Sequence, residues 1–393
     1  MAKSKPPRKI RSQSPASRDA ARPAASCEGL GYSGGNLDDL RKRIDAIDDQ
    51  LVQLINERGC IAQEIGRIKL LDGTPIYSPD REHQIFARLQ ELNQGPFPQD
   101  VLKAVYRELM SGSFALEKPL RVSFLGPLGS YSHQASVEKF GASVEYEPVT
   151  TIAAAVNEVE RSRVDFAVVP IENSTSGGVV DTLDALLELS VRICAELYLP
   201  IHHNLISRRP LADITQVYSK PEVFSQCRDW LTQTGLQSKT VAVSSTSKAV
   251  ELSAADESVA ALGSVLAAEL YNVPIQVRNV EDSAANVTRF FVIGKKSPKP
   301  TGDDCTMLLF GTSHRSGALV RVLDAFRQNE VNLSMITSRP NKRKNWEYAF
   351  FVSADGHEHE PTFSKTLQQI EPLCTFSKVL GSFPRAANPA AGE

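Results

Sequence analysis

Two cations, Arg58 and Lys69, stand at positions of an apolar helical pattern where aliphatic residues are expected. Their spacing makes almost whole helical turns, so both side chains share one helix face. A buried cation needs an anionic partner, although a single arginine there can also extend its guanidinium to solvent. Arg41, Arg81 and Glu82 are further candidates nearby, and arginines clamp carboxylates well. The pattern predicts a pocket for a small dicarboxylate.

A second candidate site is the loop GPLGSYSHQA, residues 126–135, between a predicted strand and a predicted helix. Free backbone N–H groups converge at such turns and can bind an anion. The loop matches neither GxGxxG nor GxxxxGK[ST], so a nucleotide phosphate is not the expected guest. Ser130, Tyr131 and Ser132 can donate hydroxyl groups, whereas His133 alone is more typical of a helix-start hydrogen bond than of a base.

The elements that position these residues begin with a helical segment, residues 35–118. Apolar residues three and four apart form a heptad seam over about 37–71, namely Leu37, Leu40, Ile44, Ile47, Leu51, Leu54, Ile61, Ile65 and Ile68. Two shorter helices are predicted at about 79–92 and 99–116. A helix of about 50 Å cannot bury this seam against two shorter ones, so we expect an intertwined homodimer or a larger assembly.

Two further segments have different patterns. Residues 119–297 alternate strands and helices, which indicates an α/β domain with largely parallel sheets and leaves open whether there is one sheet or two. Residues 304–385 read β-α-β-β-α-β, the α+β ferredoxin-like unit common in ligand-sensing modules. We expect three domains with separate cores.

Composition narrows the class of protein. A net charge of −2 argues against nucleic acid or a membrane surface as partner, and no apolar stretch approaches a membrane span. Six cysteines without CxxC spacing suit reduced thiols in a cytoplasmic protein, and His202-His203 lacks a third ligand, so we expect no metal and no cofactor. Residues 1–34 indicate a disordered basic tail, with an organellar transit peptide as the alternative.

Several motifs in register carry a family resemblance. LRKRID, INERGCIAQEIGRIK, PIYSPDRE and RELMSGSFALE resemble the all-helical chorismate mutase dimer domain. FLGPLGSYSHQA, AVVPIENSTSGGV, VYSKPEVFSQC, AALGS and NVTRFFVIG resemble prephenate dehydratase, whose domain has two α/β lobes. GALV and SRP resemble the amino-acid-binding ACT domain. In this order they resemble the bacterial bifunctional P-protein, which implies chorismate and prephenate as substrates and phenylalanine as effector.

For the first reaction, the resemblance implies an active site of Arg41, Arg58, Lys69, Ser78, Arg81, Glu82, Ser113 and Glu117. A Claisen rearrangement needs no nucleophile and no proton transfer. It needs cations that fold the substrate and donors at the breaking ether bond, where Lys69 and Glu117 are expected. Glu82 can accept from the substrate hydroxyl. Ser78 replaces an aspartate of some relatives, and Glu117 replaces a glutamine of others.

For the second reaction, the resemblance implies Asn173, Ser174, Ser219, Gln226, Thr288 and Arg289. Loss of water and carbon dioxide from prephenate is driven by aromatisation, so the enzyme must orient the dianion and protonate the leaving hydroxyl. Thr288 is the expected proton donor or relay, and Arg289 a candidate counter-ion. Taken singly, such motifs are also typical of plain structure, since Ser-Thr-Ser-Gly before a helix is commonly an N-cap.

The implied phenylalanine site, between subunits, comprises Gly317, Ala318, Leu319, Ser338 and Arg339. Relatives usually read Glu-Ser-Arg-Pro where this chain has Thr337 first, which leaves the strength of feedback inhibition open. One alternative is a dehydratase alone, with helices kept for dimerisation, against which Arg58 and Lys69 argue. Another is a non-catalytic solute-binding module, which turnover dependent on Thr288 and Gln226 would exclude.

Overall fold

The structure is a computed structural model that describes residues 36–340 and 348–387. The predicted tail, residues 1–34, lies outside these ranges. The chain opens with three helices, α1 (Leu37–Asp72), α2 (Pro79–Leu92) and α3 (Gln99–Glu117). Asn36 caps α1 through a bond from the Asp38 amide, and Gly73 ends it in the left-handed conformation at φ 65°. The predicted three-helix pattern is confirmed.

The apolar seam of α1 stays uncovered in the described chain. Leu37 and Leu54 are each 60 % exposed and Ile68 is 59 % exposed, and every other seam residue is at least 38 % exposed. α3 packs against α1 but leaves this stripe free. A continuous exposed apolar stripe of this length is typical of a helical interface. The homodimer remains a prediction, which the exposed seam supports.

The middle segment has the elements, in chain order, β1 (Arg121–Leu125), α4 (Tyr131–Phe140), β2 (Glu145–Val149), α5 (Ile152–Glu160), β3 (Phe166–Asn173), β4 (Gly177–Gly178), α6 (Val180–Glu188), β5 (Arg192–Pro200), β6 (Asn204–Ile206), β7 (Gln216–Ser219), α7 (Pro221–Gln226), α8 (Arg228–Gln233), β8 (Thr240–Ala242), α9 (Thr246–Ala255), β9 (Val259–Gly263), α10 (Val265–Leu270), β10 (Ile275–Val277) and β11 (Val287–Gly294). They form two lobes with one sheet each. The first sheet has the order β2-β1-β3-β11-β5 with β4 paired to β3, and the second has the order β10-β6-β9-β7-β8.

The prediction that the sheets of this segment are largely parallel is wrong. β11 runs antiparallel to both β3 and β5, and β6 runs antiparallel to both β9 and β10. Parallel pairing is confined to β1 with β2 and β3, and to β7 with β8 and β9. The chain leaves the first lobe after β5 and returns as β11 from the second lobe, and alternation of elements does not encode the direction of such a return.

The C-terminal segment contains β12 (Asp304–Gly311), α11 (Ala318–Gln328), β13 (Leu333–Pro340), β14 (Tyr348–Asp355), α12 (Pro361–Ile370) and β15 (Phe376–Pro384). Its sheet has the order β13-β14-β12-β15, with every pair antiparallel. This arrangement confirms the ferredoxin-like prediction. In the described ranges, no helix is long and apolar enough to cross a membrane.

The cores of the three segments are joined by shared clusters, contrary to expectation, although the C-terminal segment also has a cluster of its own. Ile76 and Tyr77, which follow α1, belong to the apolar cluster of the first lobe. The Tyr77 ring centroid lies 5.0 Å from that of Phe140 and 5.3 Å from that of Phe166. The helical segment is therefore fastened to the first lobe by aromatic contacts.

The C-terminal sheet is fastened to the same lobe from another side. β15 packs on β5, and Leu380 and Phe383 share one buried cluster with Ile193 and Phe291. Cutting the chain between these segments would expose core surface, so point substitutions are the cleaner tests of function.

Candidate active sites

A cavity of about 490 Å³, here called the helical pocket, lies among the three N-terminal helices. Its charged lining residues are Arg58, Lys69, Arg81, Glu82 and Glu117. Its apolar lining includes Ile61, Ile65, Ile85, Met110 and Phe114. Fixed cations above an apolar floor suit an anion with a hydrocarbon ring.

Arg58 is oriented from α3. Its Nη1 donates to the Ser113 hydroxyl at 2.7 Å and to the Leu109 carbonyl at 3.4 Å. The Ser113 hydroxyl in turn donates to the same carbonyl at 2.7 Å. This arrangement fixes one edge of the guanidinium, so its remaining N–H groups are presented in a defined direction.

Lys69 and Glu117, both predicted site residues, lie beside each other. The Lys69 ammonium donates to the Ile76 carbonyl at 2.6 Å and to Glu117 at 3.1 Å. This approach depends on Gly66, because a Cβ there would lie 2.8 Å from the Glu117 Cβ. Gly66 was not predicted as a site residue, and the signal that could have found it is a glycine inside a strong helical pattern.

The start of α2 supplies the third wall. Ser78 is the N-cap residue and donates to Asp80 at 2.5 Å, while Arg81 is exposed and donates to Gln84 at 3.2 Å. Glu82 is only 9 % exposed. All three line the helical pocket.

Arg41 does not reach this pocket within one chain. It pairs with Asp38 on the surface of α1 at 3.6 Å. Arg58 lies about 25 Å further along the helix at 1.5 Å per residue. A contribution of Arg41 to a helical pocket therefore requires a second chain.

The second site joins the two lobes through hydrogen bonds and starts at Thr288. Register places Thr288 opposite Asn173, whose amide donates to the Thr288 hydroxyl at 2.9 Å and to Asn286 at 2.7 Å. The Asn173 carbonyl oxygen accepts from the Thr175 and Ser176 amides at 3.0 and 2.9 Å. Asn173 is thus fixed on both sides.

The other half comes from the second lobe and α4. The Gln226 carbonyl oxygen accepts from Asn286 at 3.4 Å and lies 2.7 Å from His203 Nε2. His203 Nδ1 lies 2.7 Å from the Tyr131 hydroxyl. We call the connected set Thr288, Asn173, Asn286, Gln226, His203 and Tyr131 the interlobe network.

Burial lowers the pKa of His203 and raises the pKa of Tyr131 well above its ordinary value. The network therefore favours a neutral imidazole and a protonated phenol at neutral pH. The sequence does not identify His203 or Asn286 as site residues, because the His202-His203 pair suggests only a metal ligand and no role follows for Asn286, although it begins the motif NVTRFFVIG. In the described part of the chain, no cluster of three or more His, Cys, Asp or Glu side chains could hold a metal.

The two predicted serines of this site bond to backbone. Ser174 donates to the Ala285 carbonyl at 2.8 Å, which ties the loop after β3 to the segment before β11. Ser219 is buried and donates to the Leu262 carbonyl at 2.8 Å, which ties β7 to β9. Both stabilise the walls of the cleft.

The assignment of Arg289 as a counter-ion needs correction. Alternation along β11 turns Arg289 to the opposite face from Thr288. There its Nε lies 2.7 Å from the Glu196 carboxylate, which is almost fully buried. The charge of Arg289 is thus neutralised inside the protein rather than presented to a substrate.

Some amides of the loop 126–135 are used inside the fold, and anion binding by the loop remains a prediction. The Gly129 amide donates to His133 Nδ1 at 3.0 Å, and the Ser130 hydroxyl accepts from the His133 amide at 3.2 Å. The Ser264 hydroxyl of the second lobe donates to the Gly129 carbonyl at 2.8 Å. These amides are used inside the fold, so the loop joins the lobes and contributes Tyr131 to the interlobe network.

A third cavity, of about 370 Å³, lies at the start of α11. Gly317, Ala318 and Leu319 line it, and Gly317 has a left-handed backbone at φ 78°. Ser338 and Arg339 lie on β13, where Arg339 pairs with Asp184 of α6 at 3.4 Å. One chain thus places the predicted effector residues in two groups.

Comparison with known families divides the chain into the same three segments. The family model described as "Chorismate mutase type II" matches residues 40–118. The model "Prephenate dehydratase" matches residues 122–298, and the model "ACT domain" matches residues 306–372.

Three similar proteins extend this result. A protein of Aquifex aeolicus named "Bifunctional chorismate mutase/prephenate dehydratase" is 42 % identical over 355 residues, covering 89 % of this chain and 98 % of its own length. A prephenate dehydratase of Arthrobacter aurescens, solved in complex with L-Phe, is 31 % identical with a TM-score of 0.63, covering 68 % and 90 %. A structure described as GqqA, a novel type of quorum quenching acylase, is 28 % identical with the same TM-score, covering 68 % and 98 %.

Proposed function

This chain belongs to the family of bifunctional chorismate mutase/prephenate dehydratases, and we propose that the helical pocket and the interlobe network are its two active sites. The helical pocket rearranges chorismate to prephenate. The cleft at the interlobe network then converts prephenate to phenylpyruvate with loss of water and carbon dioxide. The observation that carries this proposal is the convergence of Arg58, Lys69, Glu82 and Glu117 on one cavity.

The mutase proposal follows from the charges of the helical pocket. Arg58, oriented by Ser113, and the exposed Arg81 bind the two carboxylates and select the folded conformer of chorismate. Lys69 lies where it can donate to the ether oxygen as negative charge develops there. Glu82 accepts from the substrate hydroxyl. No step requires a nucleophile or a proton transfer.

The dehydratase proposal follows from the neutral donors of the interlobe network. Thr288, positioned by Asn173, passes a proton to the leaving hydroxyl of prephenate, which departs as water, and the threonine hydroxyl takes up a replacement proton from solvent. Gln226 and His203 from the second lobe orient the substrate from the other side. Aromatisation drives loss of carbon dioxide, so a neutral site suffices for the chemistry.

The similar acylase does not change this proposal, since a shared fold does not determine an activity. An acylase needs a nucleophile activated by a neighbouring base. Here Ser174 and Ser219 both donate to backbone carbonyls, and among the described residues neither is hydrogen-bonded to His203.

We infer that the seam of α1 forms a homodimer and that Arg41 of each chain enters the helical pocket of the other. The exposed seam supports the dimer, and the distance of Arg41 from Arg58 in one chain supports the exchange. Phenylalanine is proposed to bind at the cavity of Gly317, where the N-terminus of α11 can meet its carboxylate, with Ser338 and Arg339 supplied across a subunit contact.

The direct test follows chorismate loss and phenylpyruvate formation with the purified full-length chain. We expect both reactions, with the second inhibited by phenylalanine. Gly317→Ala should weaken this inhibition, because an alanine is strained at φ 78°. Turnover in the absence of phenylalanine should stay unchanged. A chain that dehydrates prephenate but leaves chorismate unchanged would favour the alternative of a structural helical domain. A chain that binds prephenate without turnover would favour a solute-binding module.

A further inference from the structure

The carboxylate of Glu82 contacts a cation that does not belong to the helical segment. Lys139 stands in the last turn of α4, a helix of the first dehydratase lobe. Its ammonium lies 2.6 Å from Glu82 Oε2, and the Tyr77 hydroxyl donates to the same oxygen at 2.8 Å. Both bonds go to one oxygen, so the other can serve a substrate.

This ion pair is well shielded from water. The side chains of Glu82 and Lys139 are 10 % and 15 % exposed. Charge-assisted bonds in such surroundings are much stronger than those of exposed ion pairs. Removing one partner would leave a buried charge without compensation, which is costly.

Lys139 contacts Glu82 from the side of a neighbouring cavity and not from the helical pocket. Glu82 lines both the helical pocket and this neighbouring cavity, whereas Lys139 lines the neighbouring cavity and not the helical pocket. A substrate in the helical pocket would therefore contact Glu82 and not Lys139. The lysine can offset the repulsion between the Glu82 carboxylate and a dianionic substrate without occupying substrate space.

We propose that Lys139 is a positioning residue of the mutase site, supplied by the dehydratase lobe, which holds the Glu82 carboxylate oriented toward the substrate hydroxyl. This inference rests on the mutase function proposed above. It makes the mutase site dependent on a helix whose other end carries Tyr131 of the interlobe network.

The test measures mutase kinetics of full-length Lys139→Met. We expect kcat/KM for chorismate to fall about tenfold, the cost of roughly one lost charge-assisted hydrogen bond, with most of the loss in KM. Lys139→Arg should restore the value to within about threefold, because charge and donor return. Dehydratase turnover of the same proteins should stay within about twofold of the wild-type value. This measurement also reports whether the first lobe is folded.

Glu138→Gln is the matched control. Glu138 is the neighbouring residue of α4 and pairs with Arg107 of α3 at 3.1 Å, so it joins the same two segments away from the pocket. Its loss should leave mutase kinetics unchanged. Equal effects of Glu138→Gln and Lys139→Met would overturn the proposal in favour of general weakening of the contact between segments.

A double-substitution cycle decides whether Lys139 acts through Glu82. In a Glu82→Gln background, Lys139→Met should cost less than about threefold, since the group that it positions is already neutral. A tenfold loss in both backgrounds, or wild-type kinetics of Lys139→Met alone, would overturn the role. A wild-type chain without chorismate turnover would instead overturn the mutase assignment itself, and the role of Lys139 with it.

Discussion

The helical pocket and the interlobe network, the two proposed active sites, differ in the groups that they would present to a dianion. The helical pocket presents charged groups: Arg58 donates to Ser113 of α3, and Lys69 donates to Glu117 of α3 and to the Ile76 carbonyl. The interlobe network consists of amides, hydroxyls and a neutral imidazole. A rearrangement that needs no nucleophile and no proton transfer depends on fixed charges around the substrate. An elimination driven by aromatisation instead needs a correctly positioned proton donor.

The two sites also differ in how many chains they need. The interlobe network closes within one chain, because both lobes belong to the same segment and Tyr131 bridges them. The helical pocket lacks Arg41 in one chain and borders an uncovered seam. Sharing of a site between subunits is therefore expected for the mutase and not for the dehydratase.

The largest expected effect is on the charged site. Arg58→Ala should lower mutase kcat/KM about a thousandfold, because it removes a carboxylate clamp and leaves Ser113 without its partner. Dehydratase turnover should be unchanged. Arg67→Ala is the matched control, since Arg67 pairs with Glu64 on the exposed surface of the same helix. Loss of both activities in a folded Arg58→Ala protein would show that the sites are not independent.

The neutral site should respond to loss of a hydroxyl. Thr288→Ala should lower dehydratase kcat about a hundredfold, the usual value of a placed proton donor, and leave mutase kinetics intact. Thr288→Ser, which retains the hydroxyl on the same strand position, should recover most of this loss. If Thr288→Ala keeps normal kcat, the proton must come from elsewhere in the interlobe network.

Subunit mixing tests the difference in chain number. Arg41→Ala and Arg58→Ala chains, each inactive as a mutase, should together recover about a quarter of wild-type activity, because half of the dimers are hybrids with one intact pocket. Thr288→Ala mixed with Gln226→Ala should recover no dehydratase activity, since both residues come from one chain. Recovery in the second mixture would show that the dehydratase site is shared between subunits. No recovery in the first would show that the mutase site is not.

The smallest effect concerns Glu117. An amide can donate to the ether oxygen where a carboxylate only repels charge, so Glu117→Gln should raise mutase kcat/KM about threefold at pH 8. Steady-state mutase kinetics of both proteins measure this. A lower kcat/KM of Glu117→Gln would mean that residue 117 acts through its ion pair with Lys69.

Much of the fold followed from local pattern. The three-four spacing of α1 and the order of elements in the C-terminal segment were readable because helix and strand periods depend on neighbouring residues. The family resemblance, rather than local pattern, implied that Lys69 and Glu117 belong to one site, and they lie 3.1 Å apart. Gly66, which permits this approach, was not predicted, since its role depends on how closely another helix packs.

By itself, the sequence determined the element order, the seam and the residue types that carry the two reactions. Only the tertiary structure decided that Arg289 faces Glu196, that His203 joins Gln226, and that Lys139 reaches Glu82. The reason is physical: each of these contacts joins residues far apart in the chain. Their meeting depends on strand direction and on how the segments pack, and neither is encoded in local spacing.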